Sequence, residues 1–515
     1  MARLLEYLKK CSDRHWLIGY DNREFVQLAE QFYLQIIDSQ NSALQIVRQS
    51  SQHTSPKILL AEGTPIRFIA GFIAACSANC SVFLCNPAWG EREWQQVFAL
   101  VQPDIIIQNS KFKIQNSKFK ISDSGTGGFI RHICGQTNNL GEPAPTISHS
   151  PLPTPHSPLI MVPTSGSSGK IRFAIHTWDT LSASVQGFQT YFELQQINSF
   201  CVLPLYHVSG LMQFMRSLTT GGKLAILPFK TVESGIISDI DPAEFFISLV
   251  PTQLQRLLQI PNLVNWLAQF QTVLLGGAPA WQELLTAARN HRIRLAPTYG
   301  MTETASQIAT LKPEDFLKGY NKCGRVLPHA QVKIVSPKNE ILGTNKIGIV
   351  SIQAKSLALG YYPECDNKSE KIELDDLGFI DDRGYLNIVG RNSDKIITGG
   401  ENVYPGEVEA AIRATQLVDD IAVIGICDRT WGEVVTAIYV PKSQLVSPAV
   451  IKAAIANSLC KFKIPKSWIS AKKLPRNAQG KLNREQLQAI AILSQDNCDR
   501  GLKTVTENYQ SMPNW

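Results

Sequence analysis

The sequence lacks a continuous apolar run of membrane-spanning length. Its nearest approach, Phe68 to Cys85, is interrupted by Asn79 and by small-polar or cysteine neighbours, and VFLCNP at its end reads as a strand followed by a turn. A buried helix feeding a buried strand is expected there, and no membrane span. A secretory signal is missing too: MARLLEYLKKCSDRHW mixes charges among its apolar residues and never builds a hydrophobic stretch, which points to the cytosol. Basic blocks are absent. Lys and Arg number 50 against 43 Asp and Glu, and the net charge of +7 is spread along 515 residues, so nucleic acid is not an expected partner whereas anionic small molecules are. Metal-type cysteine spacing is absent as well. The 11 cysteines fall at irregular intervals, and the tightest group, Cys76, Cys80 and Cys85, lies in apolar sequence with no His pair nearby, which reads as reduced core thiols.

What the chain does have is enough apolar sequence for a large core, with 44% hydrophobic and 18% charged residues, over a length that requires two or more domains. From Lys57 to Ile107 short β-rich runs (KILLAEG, SVFLCNP, PDIIIQN) alternate with helical stretches, the pattern of βαβ units around a mostly parallel sheet. A heptapeptide, Gln108 to Ile114, is then repeated without change as Gln115 to Ile121 and leads into Ser-, Gly-, Asn- and Pro-rich sequence. Without hydrophobic periodicity this stretch cannot offset its ordering entropy, so residues 108–158 are expected to be a loose low-complexity surface insertion. Strand-like runs resume with FCVLPLY, KLAILPF, FFISLV and TVLLGG, and VKIVSPKNEILGTNKIGIVSIQA reads as hairpins. After Gly390 comes a compact unit with helix EVEAAIRAT, strands DIAVIGICD and VVTAIYVP, and helix VIKAAIANSLCKF. Beyond about Leu493 the chain is polar, and fraying is expected. The expected fold class is α/β. A large N-terminal α/β domain with parallel sheets and a β-rich subdomain spans 1–391, and a small α+β C-terminal domain spans 395–515.

The strongest local signal is LIMVPTSGSSGKIRFAIHT. A strand runs into Thr164, Ser165, Gly166, Ser167, Ser168, Gly169 and Lys170, a loop suited to phosphate because glycines let backbone N–H groups approach oxygens, hydroxyls add donors and Lys170 adds charge. The spacing G-x-x-G-K is not that of a Walker A loop, and a flexible Ser/Gly turn is the alternative for the loop alone. Downstream stand PTYGMTETAS (Pro297 to Ser306), GFIDDRGYLNIVGRNSDKIITGGENVYPGEVE (Gly378 to Glu409) and PRNAQGKLNRE (Pro475 to Glu485).

These four segments, in this order, resemble the adenylate-forming superfamily of acyl-CoA synthetases, luciferases and peptide-synthetase adenylation domains, over about residues 15–490 apart from the insertion. The resemblance implies ATP, Mg2+ and coenzyme A, and it places roles on this chain. Thr302 contacts the α-phosphate and Glu303 holds Mg2+, within a nucleotide-binding stretch of Thr298, Tyr299, Gly300, Met301 and Thr302. Gly276, Gly277 and Ala278 form the adenine-side segment at the carboxyl end of a strand. Asp376 meets the ribose hydroxyls with help from Arg391, and Lys481 bridges the acid's carboxylate and the α-phosphate. Residues 392–394 form a hinge with Ser393 at its centre, about which a mobile small domain brings Gly399, Gly400 and Glu401 to the CoA side. The family loop T-G-D-x-G falls on Leu374 to Gly378 with Leu374 for Thr and Asp375 for Gly. In the phosphate loop Ile171 and Arg172 replace Pro and Lys, from which altered ATP affinity is expected.

LPLYHVSGLMQFMRSL, from Leu203 to Leu218, is similar to the o-succinylbenzoate:CoA ligases of menaquinone and phylloquinone synthesis. That likeness makes His207 a residue of the acyl site and Ser209 and Arg216 the holders of the substrate's free carboxylate. A second carboxylate in an acyl pocket needs a cationic or multiply donating partner, where a fatty-acid ligase would place apolar residues. Three alternatives stay open: Arg216 on a solvent face, which would favour another aryl or fatty acid; an inactive nucleotide-binding homologue; and a homo-oligomer rather than a monomer. The short sequence after the Lys481 motif favours a stand-alone ligase using free CoA over a carrier-coupled domain.

Overall fold

A computed structural model describes residues 5–6, 8, 15–46, 55–108, 121–122, 130–133, 158–165, 171–364, 371–398, 401–428, 431–476 and 482–499. Among these residues the strands form four sheets of eight, eight, four and five strands. In the first, Lys57–Ala61 pairs in parallel with Ser81–Leu84 on one side and Ile105–Gln108 on the other, as the βαβ pattern requires. The sheet continues through Leu159–Ser165, which is parallel to Ser81–Leu84 and antiparallel to Ile171–Thr177. The second holds the parallel strands Leu224–Ile226, Asn198–Cys201, Phe245–Leu249, Thr272–Leu275 and Leu295–Met301.

The helices Pro65–Ser77 and Val208–Thr220 pack in the largest core cluster, which draws on both sheets. Pro65 opens the first of them, where a missing N–H costs nothing, and every residue from Phe68 to Ser77 is buried. A helix apolar on all sides must be enclosed by protein, and Phe72 meets Phe214 of the second helix edge-to-face at 5.9 Å. No described helix is long and apolar enough to cross a membrane. Cys76, Cys80 and Cys85 are free and buried, and burial pushes the Cys80 thiol up to about 12, the behaviour of core thiols.

The third sheet, Ala330–Val335, Gly348–Ala354, Lys371–Ile380 and Leu386–Arg391, is the expected β-rich piece, antiparallel throughout. The fourth belongs to the C-terminal unit: Val418–Asp428 pairs antiparallel with Gly432–Pro441 beside helix Pro405–Ala414.

Four expectations change. The 108–158 stretch is not wholly outside the fold: Gln108 ends a buried strand, Ile130–Ile133 pairs antiparallel with Ile105–Gln108, and Ile121–Ser122 pairs with that added strand. Backbone pairing at a sheet edge needs no hydrophobic periodicity, so composition did not reveal it. Helix Arg484–Asp499 runs past Leu493, with Leu487 and Ala491 packed against the small domain's sheet. The helix expected over VIKAAIANSLCKF stops at Ile455. Leu374 to Gly378 is strand, within Lys371–Ile380, rather than loop.

Candidate active site

Of the residues singled out in the sequence, Thr298 to Glu303 lie at the carboxyl end of the second sheet and in the turn that follows it. Strand Leu295–Met301 turns through Thr302–Thr304 and returns as Ser306–Thr310. Gly300 lets the two arms approach, because a Cβ there would lie 2.1 Å from the Ser306 carbonyl oxygen. Ala305 and Ser306 both take positive φ (50° and 88°), a conformation that non-glycine residues hold only when surroundings impose it.

Buried side chains impose it here. The Ser184 hydroxyl donates to the Ala305 carbonyl at 2.7 Å, the Ser356 hydroxyl to the Thr304 carbonyl at 2.9 Å, and His176 Nε2 to the Thr302 carbonyl at 2.8 Å. A turn clamped at three of its carbonyls from three separate elements is preorganised.

His176 is fully buried, and burial drives its pKa down to about 4, partly opposed by the bond to Thr302. Its folded pKa lies below the unfolded value near 6.5, so its contribution is complete above that value and is lost as pH falls toward 4. The predicted loss is roughly 3 kcal/mol. Urea unfolding at pH 7.5 and 4.5 should show a drop in stability that His176→Asn diminishes.

Glu303 is held through its carboxylate as well. Tyr361 donates its hydroxyl to Glu303 Oε1, and the Arg172 guanidinium lies 3.5 Å from the Tyr361 ring centroid. Burial and the Glu303 charge push the Tyr361 phenol well up, so it stays a donor. Arg172, which departs from the family's Lys, therefore stacks on an aromatic ring as a planar guanidinium can and an ammonium cannot. One carboxylate without further ligating neighbours is a donor set that fits Mg2+, which takes most of its oxygens from phosphates and water; the described residues contain no cluster of three His, Cys, Asp or Glu.

Asp376 and Arg391 are direct cross-strand partners, with Arg391 Nε 3.5 Å from Asp376 Oδ1. Tyr299 completes the group, donating its hydroxyl to Asp376 Oδ2 at 2.6 Å. Gly276, Gly277 and Ala278 follow strand Thr272–Leu275 directly, and the Gly276 N–H donates to the Leu249 carbonyl at 3.1 Å. Thr298 faces them, its hydroxyl 3.4 Å from the Leu275 carbonyl.

His207 caps helix Val208–Thr220, Ser209 stands in its first turn, and Arg216 projects from its buried face. Arg216 is only 2% exposed, which removes the solvent-facing alternative. It donates to Gln307 Oε1 at 2.7 Å and lies 3.4 Å from Ser306 Oγ, with its guanidinium 4.3 Å from the Phe188 ring centroid. Its Nε is buried without a hydrogen-bond partner, and no Asp or Glu among the described residues pairs with it. Burial lowers its pKa to about 9, which still leaves it charged at neutral pH. A buried cation answered only by neutral acceptors is costly for the fold and suited to an incoming anion.

At residues 392–394, the segment expected to be a hinge, Asp375 makes close contacts. Its carbonyl accepts from the Asn392 N–H at 2.6 Å, and its carboxylate accepts from both the N–H (3.1 Å) and the hydroxyl of Ser393. The residue that departs from the family's Gly is thus the one that fastens Asn392 and Ser393 to strand Lys371–Ile380. Arg484 pairs with Asp394 at 2.8 Å.

Gly166, Ser167, Ser168, Gly169, Lys170, Gly399, Gly400 and Lys481 lie outside the described residues, as does the side chain of Ser165. Their flanks are placed: Thr164 and Ser165 end the strand opposite Ile171–Thr177, Glu401 pairs with Thr398, and Arg476 bridges to Leu482. Reading by sequence missed Tyr361, His176 and Gln307. His176 stands in the quoted FAIHT run and Gln307 follows TETAS, but nothing local says that either faces the site.

The profile of the AMP-binding enzyme family matches residues 49–362, and that of the AMP-binding enzyme C-terminal domain matches residues 407–481. The chain belongs to the AMP-binding enzyme family. Among its relatives, the 2-succinylbenzoate–CoA ligase of Oceanobacillus iheyensis is 34% identical over 338 residues, which is 64% of this chain and 68% of that one. The ligase of the same name from Listeria innocua is 33% identical over 339 residues, 63% and 68% of the two chains. The fold matches o-succinylbenzoate CoA synthetase of Bacillus subtilis in complex with the acyl-adenylate OSB-AMP, with a TM-score of 0.74, 23% identity and coverage of 94% of this chain and 97% of that one. ATP-bound MatB from Rhodopseudomonas palustris matches at a TM-score of 0.73 and 21% identity, over 95% and 98% of the two chains.

Proposed function

We propose that the chain is an AMP-forming ligase that adenylates o-succinylbenzoate with MgATP and transfers the acyl group to coenzyme A, a step of menaquinone or phylloquinone synthesis carried out in the cytosol. The carrying observation is Arg216, a buried guanidinium without an anionic partner among the described residues, on the helix that His207 opens. The names of the relatives point the same way.

In this reading a substrate carboxylate oxygen attacks the α-phosphorus and pyrophosphate leaves. The CoA thiolate then attacks the acyl carbon and AMP leaves. Thr164 to Lys170 hold the outer phosphates, Gly276 to Ala278 border the adenine, and Asp376, oriented by Tyr299 and Arg391, accepts from the ribose hydroxyls. Thr302 donates to an α-phosphate oxygen. Glu303 would hold Mg2+, which neutralises phosphate charge when bound. Ser209 and Arg216 take the carboxylate that does not react. The small domain, 395–515, then turns about 392–394, exchanging Lys481 for Gly399, Gly400 and Glu401.

CoA-dependent AMP formation with o-succinylbenzoate, benzoate and a medium-chain fatty acid tests the proposal. Selective turnover of o-succinylbenzoate is expected. A preference for either monocarboxylate would leave the adenylate-forming chemistry and remove the quinone-pathway substrate, and absence of ATP–pyrophosphate exchange with every acid would leave only a nucleotide-binding homologue.

A further inference from the structure

Arg216 Nε is not the only buried polar atom without a hydrogen-bond partner beside the helix Trp178–Phe192. His329, which immediately precedes strand Ala330–Val335, has both ring nitrogens buried without a hydrogen-bond partner. The ring lies against helix Trp178–Phe192 at Gly187: a Cβ built on that glycine would fall 1.8 Å from His329 Nδ1 and 2.5 Å from its Cγ, so no larger residue could stand there with the imidazole in place. The next residue of the helix, Phe188, carries the Arg216 guanidinium over its ring. Neighbouring residues of one helix therefore contact the imidazole and the guanidinium. Burial, and after it the Arg216 charge, holds the His329 pKa down at about 4.

Buried imidazole nitrogens ordinarily find partners, and two left over on one ring, with the unpartnered Nε of a guanidinium packed on the next residue of the same helix, make three unmet sites along one helix. A neutral imidazole offers one N–H. A carboxylate has lone pairs enough for a guanidinium and an imidazole donor together, and it is the class of ligand that meets both demands at once.

We infer that His329 is a specificity-determining residue of the acyl pocket, donating an N–H to the non-reacting carboxylate of a dicarboxylate substrate drawn in by Arg216. This rests on the ligase reading above and extends the carboxylate site beyond the helix Val208–Thr220 to a residue 113 positions from Arg216 (329 − 216).

The experiment is steady-state AMP formation by the full chain and its His329→Ala, His329→Gln and Gly187→Ala variants. The acids are o-succinylbenzoate and its two monocarboxylate analogues, 4-oxo-4-phenylbutanoate and 2-butanoylbenzoate. For His329→Ala, KM for o-succinylbenzoate should rise about 10- to 100-fold, the effect of one hydrogen bond to a charged group. Its kcat should stay within about threefold, and KM for whichever analogue is accepted should be little changed. His329→Gln, which keeps an N–H donor, should recover most of the loss. Gly187→Ala suits a helix but displaces the ring, so it should show the same dianion-selective rise and serves if His329→Ala does not fold. Equal KM changes for dianion and monoanion, no change at all, or no recovery with Gln would overturn the inference while the ligase reading stands. A wild type that does not turn over o-succinylbenzoate would overturn both.

Discussion

Arg216→Ala is expected to lower kcat/KM for o-succinylbenzoate by a factor on the order of 10²–10³, corresponding to the truncation of one partner of a buried, hydrogen-bonded charge pair. Most of the loss should fall on KM, because the non-reacting carboxylate is bound alike in the ground state and the transition state. Turnover of a monocarboxylate analogue should suffer far less. The same substitution has an opposite effect on the free protein. Without substrate, the guanidinium is desolvated against Phe188, Ser306 and Gln307 and finds no anion among the described residues, so its removal relieves a burial cost. Arg216→Met, which refills the volume with an apolar chain, should raise the thermal midpoint while abolishing dianion selectivity. A variant that loses stability and turns over every acid equally poorly would make Arg216 a packing residue.

Lys481→Ala should reduce adenylate formation by a factor on the order of 10³, the scale on which a preorganised charge at a developing oxyanion is felt. Thioester formation from preformed o-succinylbenzoyl-AMP and CoA should proceed near the wild-type rate. In the proposed mechanism the two half-reactions separate because negative charge gathers on the α-phosphoryl oxygens only during the first, and the proposed domain turn about Ser393 would remove the lysine before the second. Single-turnover assays started from ATP plus acid, or from the adenylate plus CoA, read them apart. Equal losses in both would place Lys481 outside the chemistry. Asp375 enters the same measurement: its carboxylate bonds to the N–H and hydroxyl of Ser393, so Asp375→Gly, the family's residue, should free the hinge and alter the thioester step more than the adenylate step.

The alternation of KILLAEG, SVFLCNP and PDIIIQN with helical stretches predicts the parallel strands found at Lys57–Ala61, Ser81–Leu84 and Ile105–Gln108 because each strand is buried on both faces and reads as an apolar run. FCVLPLY shows the limit of that reading: only Phe200 and Cys201 of the run are in the strand Asn198–Cys201, and Pro204 and the turn before His207 take the rest. Asp376 and Arg391 were legible as a pair because the family motifs carry both. Tyr299, 77 residues from Asp376, was legible as a nucleotide-site residue but not as that carboxylate's hydrogen-bond donor.

Hydrophobic period, turn chemistry and the order of four motifs are local properties, and they by themselves determined the α/β class, the two-part organisation and the adenylating chemistry to be expected. Which face of helix Val208–Thr220 is enclosed, what meets Arg216 there, and that Tyr361 and His176 reach the turn at Thr302 and Glu303 were decided only by tertiary structure. The reason is physical: a residue type states what it can donate, accept or bury, but its partner is set by the packing of segments far apart in the chain. The cost of an unmet charge becomes visible only when burial has removed water as the default partner.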